Sequence, residues 1–134
     1  MRIVLATFVG IIVAFTTIGL MEVLGHKLFP LPFDIDPENP QDLQDKMHLV
    51  PVGAFIAVIV AHVLAMIFAL IVARLIDKKT RTPLFIIFGF LLYGAIANIF
   101  MTSQPLWFAI ADILAISAVG LLFISRIKKS TPQK

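Results

Sequence analysis

Four stretches of this chain, residues 3–21, 52–73, 84–101 and 106–124, are continuously apolar and hold no lysine or arginine. Each is close to the ~20 helical residues that cross the hydrocarbon core of a bilayer, for which ~17 is a lower limit. Backbone N–H and C=O groups find no water at that depth, so only helices and closed barrels satisfy them. Barrel strands would alternate polar and apolar residues over ~10 positions, and these runs do not alternate. The expected fold is therefore an all-α integral membrane protein, a single domain with four transmembrane helices in a small bundle. Composition excludes a soluble enzyme. Hydrophobic residues make up 60% of the chain and charged residues 14%, against roughly 45–50% and about 25% in soluble domains. A soluble domain of this size could not hide so much apolar surface. The absence of cysteine removes a disulfide scaffold, a thiol nucleophile and cysteine-ligated metal centres.

The first span follows Arg2 as the core of a secretory signal would. A signal core is only ~7–15 residues long and ends at a small-x-small cleavage site. Here the run is longer and continues into Gly19-Leu20-Met21-Glu22-Val23-Leu24 without an Ala-x-Ala site, which predicts an uncleaved first helix.

Orientation follows from the cations beside the spans. Arg2 precedes the first span, Arg74, Lys78, Lys79 and Arg81 separate the second from the third, and Arg126, Lys128, Lys129 and Lys134 follow the fourth. The first connection, residues 22–51, has Lys27 and Lys46 against Asp34, Asp36, Glu38, Asp42 and Asp45. Cations accumulate on the cytoplasmic side, so both termini are expected there and the first connection outside. The clustering also explains a net charge of +3 without nucleic acid; the expected surroundings are the lipid bilayer of a bacterial inner membrane. Within the first connection, Pro30, Pro32, Pro37 and Pro40 favour extended chain at first. Asn39 can then cap a short helix with Pro40 at its first position, and Leu43, Met47 and Val50 recur at helical spacing. This predicts a short amphipathic helix at the outer interface before Pro51 opens the second span.

The second span carries a small residue at every fourth position: Gly53, Ala57, Ala61, Ala65, Ala69 and Ala73. The first span offers Ala6, Gly10 and Ala14. Such ladders let helix backbones approach closely in lipid, where no hydrophobic force drives helices together. Close packing of the first two spans is expected. A homo-oligomer or a larger membrane complex would use the same ladder, and the sequence leaves that choice open.

Ionisable residues at membrane depth cost ~2.5–3.5 kcal/mol on insertion scales and call for a partner, a cavity or a function. At ~1.5 Å per residue, Asp112 lies about 10 Å below the outer end of the fourth span and His62 about 15 Å into the second. Tyr93 has a depth similar to His62, Asn98 sits a turn from the outer end of the third span, and Glu22 marks the outer end of the first. If their faces converge, Glu22, His62, Tyr93, Asn98 and Asp112 line an outward-facing polar pocket. Alternatively, Asp112 hydrogen-bonds Asn98 across the tight hairpin of the last two spans, and His62 is a neutral interhelical residue. Glu22 and His26 share a helical face at i and i+4, and His48 or His62 would complete a three-ligand metal site. Trp107 reads as an interfacial anchor. The acidic connection lacks EF-hand spacing, and no cofactor is expected.

The string Glu22-Val-Leu-Gly25-His26, then Phe29-Pro30-x-Pro32, an acidic stretch, Pro51 opening a small-residue helix, and Pro105-Leu106-Trp107-Phe108 with Asp112 resembles a group of short bacterial membrane proteins. The resemblance covers most of the chain and implies a four-helix inner-membrane protein, without implying an activity. Small multidrug-resistance transporters are also short four-helix proteins, with a membrane-embedded glutamate. This chain departs from them: Glu22 is at the end of its span and the acidic connection is long.

Three function classes remain, in descending order: a structural, accessory or interaction protein; a small oligomeric carrier or proton- or ion-coupled transporter; and a metal-dependent membrane enzyme acting on a lipid-like substrate. Topology is open to direct measurement. Reporter fusions at Lys79 and Lys134 are expected to show cytoplasmic activity, and one near Asn39 extracytoplasmic activity; cytoplasmic activity at Asn39 would refute the four-span arrangement.

Overall fold

The computed structural model describes residues 1–34, 36 and 39–127, apart from the side chains of Pro40 and Leu43. Five α-helices follow one another: α1 (Arg2–Leu28), α2 (Pro40–Lys46), α3 (Val52–Ile76), α4 (Thr82–Thr102) and α5 (Leu106–Arg126), with a 3-10 turn at Met47–Leu49. Among the described residues there is no strand. Helices α1, α3, α4 and α5, of 27, 25, 21 and 21 residues, are long and apolar enough to cross a membrane. At ~1.5 Å per residue even the shorter two reach ~31 Å, matching a ~30 Å hydrocarbon core. The chain is a multi-pass membrane protein built from helices.

Local chemistry sets the helix boundaries. Asn39 accepts a hydrogen bond from the Gln41 N–H at 3.1 Å, and Pro40 opens α2 with φ already suited to a helix. Pro51 and Pro105 stand immediately before α3 and α5. Ser103, with φ of 48°, ends α4 in the left-handed region and turns the chain into α5. After α3, the buried Asp77 carboxylate accepts from the N–H of Lys79 (2.9 Å), the N–H of Thr80 (3.2 Å) and the Thr80 hydroxyl (2.6 Å). The Thr80 hydroxyl first, and the Lys79 N–H next, hold this carboxyl below its ordinary range. This acidic knot fixes the basic connection between α3 and α4.

Helix α1 runs seven residues past the expected limit of residue 21. No helix breaker occurs before Pro30, which forces Phe29 out of helical geometry, to φ −130° and ψ 69°. Glu22 and His26 consequently belong to α1, and the first connection begins at Phe29 rather than at residue 22.

Helix α3 is the hub, packing on α1, α4 and α5. Its ladder meets the ladder of α1: Ala6, Ala14, Ala65, Ala69 and Ala73 are fully buried, and Ala61 nearly so. A Cβ on Gly10 would lie 3.2 Å from the Ala69 carbonyl oxygen and would collide with the Ile87 side chain of α4. At the other end a Cβ on Gly25 would sit 3.3 Å from the Cβ of Ala57, and one on Gly53 would run into the Phe29 ring. Gly53 and Ala57 are only half-buried, because there the chain is leaving α1. Met66, Leu70, Leu84, Ile87, Ile116 and Ile124 fill the core beyond the ladder. A second cluster, Met47, Phe55 and Phe108, ties the 3-10 turn to α3 and α5, with Ile59 packed against it.

Leucine at Ala69 or Ala73 must force α1 away from α3. Each change is expected to destabilise the protein by about 1–3 kcal/mol in a reversible bicelle unfolding assay. Ile56→Leu and Ile71→Leu, at exposed positions of α3, should stay within about 0.5 kcal/mol of the parent. Equal effects at all four positions would show that the ladder is not under close contact.

Candidate functional site

A cavity of about 410 Å³ lies between α1 and α4, backed by α3 and α5. Its position follows from how the helices diverge. Gly10 faces Ile87 and Phe15 meets Phe90 edge to face at 6.1 Å, so α1 and α4 run parallel with an offset of 77 and 75 residues. Glu22 and Asn98, 76 residues apart, therefore stand level. The Phe15–Phe90 pair lies at the cavity margin nearer the basic connections, and Met101 lines it nearer α2. Apolar wall is supplied by Ile18, Ala65, Leu91 and Ile116. No lysine or arginine lines it among the described residues, and Glu22 is the lining carboxylate.

Four of the five residues expected to share a polar pocket, Glu22, His62, Tyr93 and Asn98, line this cavity. The fifth, Asp112, stands behind its wall. Nδ1 of His62 lies 2.9 Å from both Oδ1 and Oδ2 of Asp112. Asp112 is 3% exposed, and the His62 side chain retains 15% exposure. Both oxygens of Asp112 thus face Nδ1, which is taken up by this contact whichever partner carries the hydrogen.

The buried face of α5 accounts for this partnership. Phe108, Asp112, Ile116, Gly120 and Ile124 recur every four residues and form the buried stripe of α5. Phe108 packs on Phe55 of α3 at 5.0 Å between ring centroids, so the stripe and Asp112 face α3. The alternative clasp between Asp112 and Asn98 does not form: both carboxylate oxygens turn to His62, and the Asn98 side chain lines the cavity. The Asn98 carbonyl instead accepts from the Thr102 hydroxyl at 2.7 Å.

The four residues considered as metal ligands are dispersed. Glu22 and His26 border a second, ~50 Å³ slot between α1 and α3, roomy for little more than a water or two. His48 directs Nδ1 to the Asp45 carbonyl at 2.9 Å, and His62 turns to Asp112. Among the described residues, no three histidine, aspartate or glutamate side chains come together as a metal-binding group. The i, i+4 spacing set Glu22 and His26 on one face of α1 but could not bring His48 there, because its turn is packed toward α5 through Met47.

Several cavity residues escape a reading confined to polar positions. Ile18 and Phe15 lie one and two turns before Glu22, and Phe90, Gly94 and Met101 share the helical face of Asn98. Extending the rows of Glu22 and Asn98 by three or four residues would have found them. The segment near the cavity's α2 end is also organised. Gln44 Nε2 donates to the Met101 carbonyl at 2.9 Å, satisfying one of the free carbonyls at the end of α4. Lys46 Nζ donates to the Asp34 carbonyl at 2.7 Å and to Asp42 at 2.8 Å. That contact, with the Asp36 N–H, keeps the Asp42 carboxyl below its ordinary range.

No family model, curated protein or solved structure matches this chain. Its assignment rests on the geometry of the cavity and its polar pair.

The His62–Asp112 contact can be measured as a coupling. In a double-mutant cycle with His62→Phe and Asp112→Leu, each single variant strands a polar partner and should cost more than the double variant. The coupling is expected at about 0.6–1.7 kcal/mol, the range for interhelical hydrogen bonds in membranes. Asn98→Ala should be additive with Asp112→Leu. Coupling to Asn98 and none to His62 would restore the hairpin clasp.

Proposed function

We propose that this protein is an accessory or interaction protein of the bacterial inner membrane that binds an amphipathic ligand in an outward-facing cavity. Both termini and the basic connections lie in the cytoplasm in this reading, α2 rests at the outer interface, and the cavity belongs to the outer half of the bilayer. The excess of lysine and arginine at the opposite end supports that orientation.

The observation that carries the reading is the cavity itself. Its volume falls within the ~300–1,000 Å³ typical of small-molecule sites, which combine apolar walls with a few polar groups. Phe15, Phe90 and Tyr93 line it while remaining exposed on the flank of the bundle, so the gap between α1 and α4 opens toward lipid. An amphiphile can enter sideways with its apolar part along these rings and its polar part toward His62, Asn98 and Glu22. Binding is favoured over carriage by what lies below: Ile87 fills the space beside Gly10 where α1 approaches α4.

Gly94 provides a test, since it lines the cavity and a Cβ there would meet nothing within 4 Å. Gly94→Phe should fill the cavity without disturbing the bundle. Gly89, equally open but away from the cavity, gives the matched control Gly89→Phe. Native mass spectrometry after mild purification should find a retained amphiphile on the parent and on Gly89→Phe, reduced about tenfold or more on Gly94→Phe. Equal retention on both variants, or none on the parent, would overturn the reading.

A further inference from the structure

We infer that the cavity selects a neutral amphiphile whose polar end is a carbonyl oxygen, received by the Nε2–H of His62 with Asp112 as the positioning residue. This rests on the cavity being a ligand site. Nδ1 is committed to both oxygens of Asp112. Nε2 makes no hydrogen bond among the described residues, on a side chain that lines the cavity and keeps 15% exposure. It is the part of the pair left for a ligand.

Whether Nε2 donates or accepts follows from charge. A pair placed in the apolar interior is least costly when it carries no net charge. Two forms meet that condition: imidazolium with carboxylate, and imidazole with carboxylic acid. In the first, both ring nitrogens bear hydrogen. In the second, the acid donates to Nδ1, which leaves the ring hydrogen on Nε2. Either way Nε2 presents a donor, and Asp112 holds it there by occupying Nδ1. An unpartnered donor at this depth calls for an acceptor.

The remaining lining narrows the acceptor. With no lysine or arginine around the cavity and the Glu22 carboxylate level with Asn98, an anionic head would be repelled and left without a counter-ion. A neutral carbonyl oxygen meets the Nε2–H without burying a charge. The Phe15 and Phe90 rings and Ile18 offer an apolar surface to the rest of the molecule, which leaves toward lipid between α1 and α4. Both a lipid ester and a free carbonyl-bearing amphiphile, such as a ketone or quinone, carry this chemistry.

The test compares 4-nonylacetophenone with 1-ethyl-4-nonylbenzene, which differ only in a carbonyl replaced by a methylene. Binding is measured to the full chain in nanodiscs of dialkyl ether phosphatidylcholine, which has no carbonyl, after subtraction of uptake by protein-free discs. The ketone should bind about tenfold more tightly than the hydrocarbon, as expected for a hydrogen bond to a charged or strongly polarised donor. The double variant His62→Phe/Asp112→Leu removes both partners together, so neither is stranded and the fold is kept; its preference should fall to within about twofold. Weaker ketone binding in diacyl than in dialkyl discs identifies a lipid ester as a competing occupant, and equal binding identifies a free amphiphile; both agree with the carbonyl assignment. Equal binding of the two probes to the parent, with both lost in Gly94→Phe, overturns the carbonyl inference and leaves the cavity reading standing. A preference that survives in the double variant also overturns it. If neither probe binds the parent better than Gly94→Phe, the cavity reading fails as well.

Discussion

The close approach of α1 to α3 is the constraint from which the rest of the bundle follows. Where Gly10 opposes the Ala69 carbonyl there is no room for another methyl group, and the alanines on either side are fully buried. Because lipid competes equally well for apolar side chains, such an interface gains from dispersion between closely spaced backbones rather than from burial out of water. The ladder runs from Ala6 opposite the basic end of α3 to Gly25 near its start, so α1 is pinned along most of its length. Helix α4 has no such ladder against α1. It touches α1 through Ile87 and Phe90, and beyond these two side chains the helices are separated by the cavity. One tight interface and one loose interface on the same helix produce the opening.

A cavity at this depth would be a defect if its walls were wholly apolar and water could reach the helices, or if a charge were stranded beside it. The His62–Asp112 pair resolves the second problem by joining α3 to α5 behind the wall. Asp112 is nearly inaccessible, so its cost is offset within the protein, and His62 alone extends the pair to the cavity. The same contact therefore acts at two levels: it fixes the neighbouring helices and determines which ring nitrogen faces the cavity. Under the proposed ligand reading, removing one partner would change packing and recognition together, whereas removing both would separate these effects.

Much of this was legible in the chain because hydropathy and small-residue spacing are local signals. The four long helices followed from uninterrupted apolar runs, and the contact between α1 and α3 from two ladders of matching period. The end of α1 was missed by seven residues because polarity begins at Glu22, whereas the helix persists until the proline at position 30 acts on Phe29. Polarity marks the limit of hydrocarbon; backbone geometry marks the limit of a helix. The site was legible as a set of polar depths, but depth does not specify azimuth. Asp112 was open to Asn98 or His62 until the buried row through Phe108 and Ile116 fixed the direction of its side chain. The metal set failed for a related reason: helical spacing joins Glu22 to His26, but the distance between α1 and the turn bearing His48 is set by tertiary packing.

The glycines divide along the same line as the interfaces. At Gly10, Gly53 and Gly120 an added Cβ would collide with Ile87, Phe29 and Phe88, so these residues serve close contact. At Gly89 and Gly94 on α4 it would meet nothing. A helical glycine forgoes about 0.5–1 kcal/mol relative to alanine, and at these two positions no packed neighbour offsets that. What Gly94 contributes is space on the cavity side of α4, in the same row as Asn98 and Met101. The gap between α1 and α4 is thus kept open from both sides, by the lack of a ladder on α4 and by the lack of a side chain at Gly94. In the proposed reading this separation is where a molecule from the surrounding lipid would enter, with the His62 ring among the residues lining the opening.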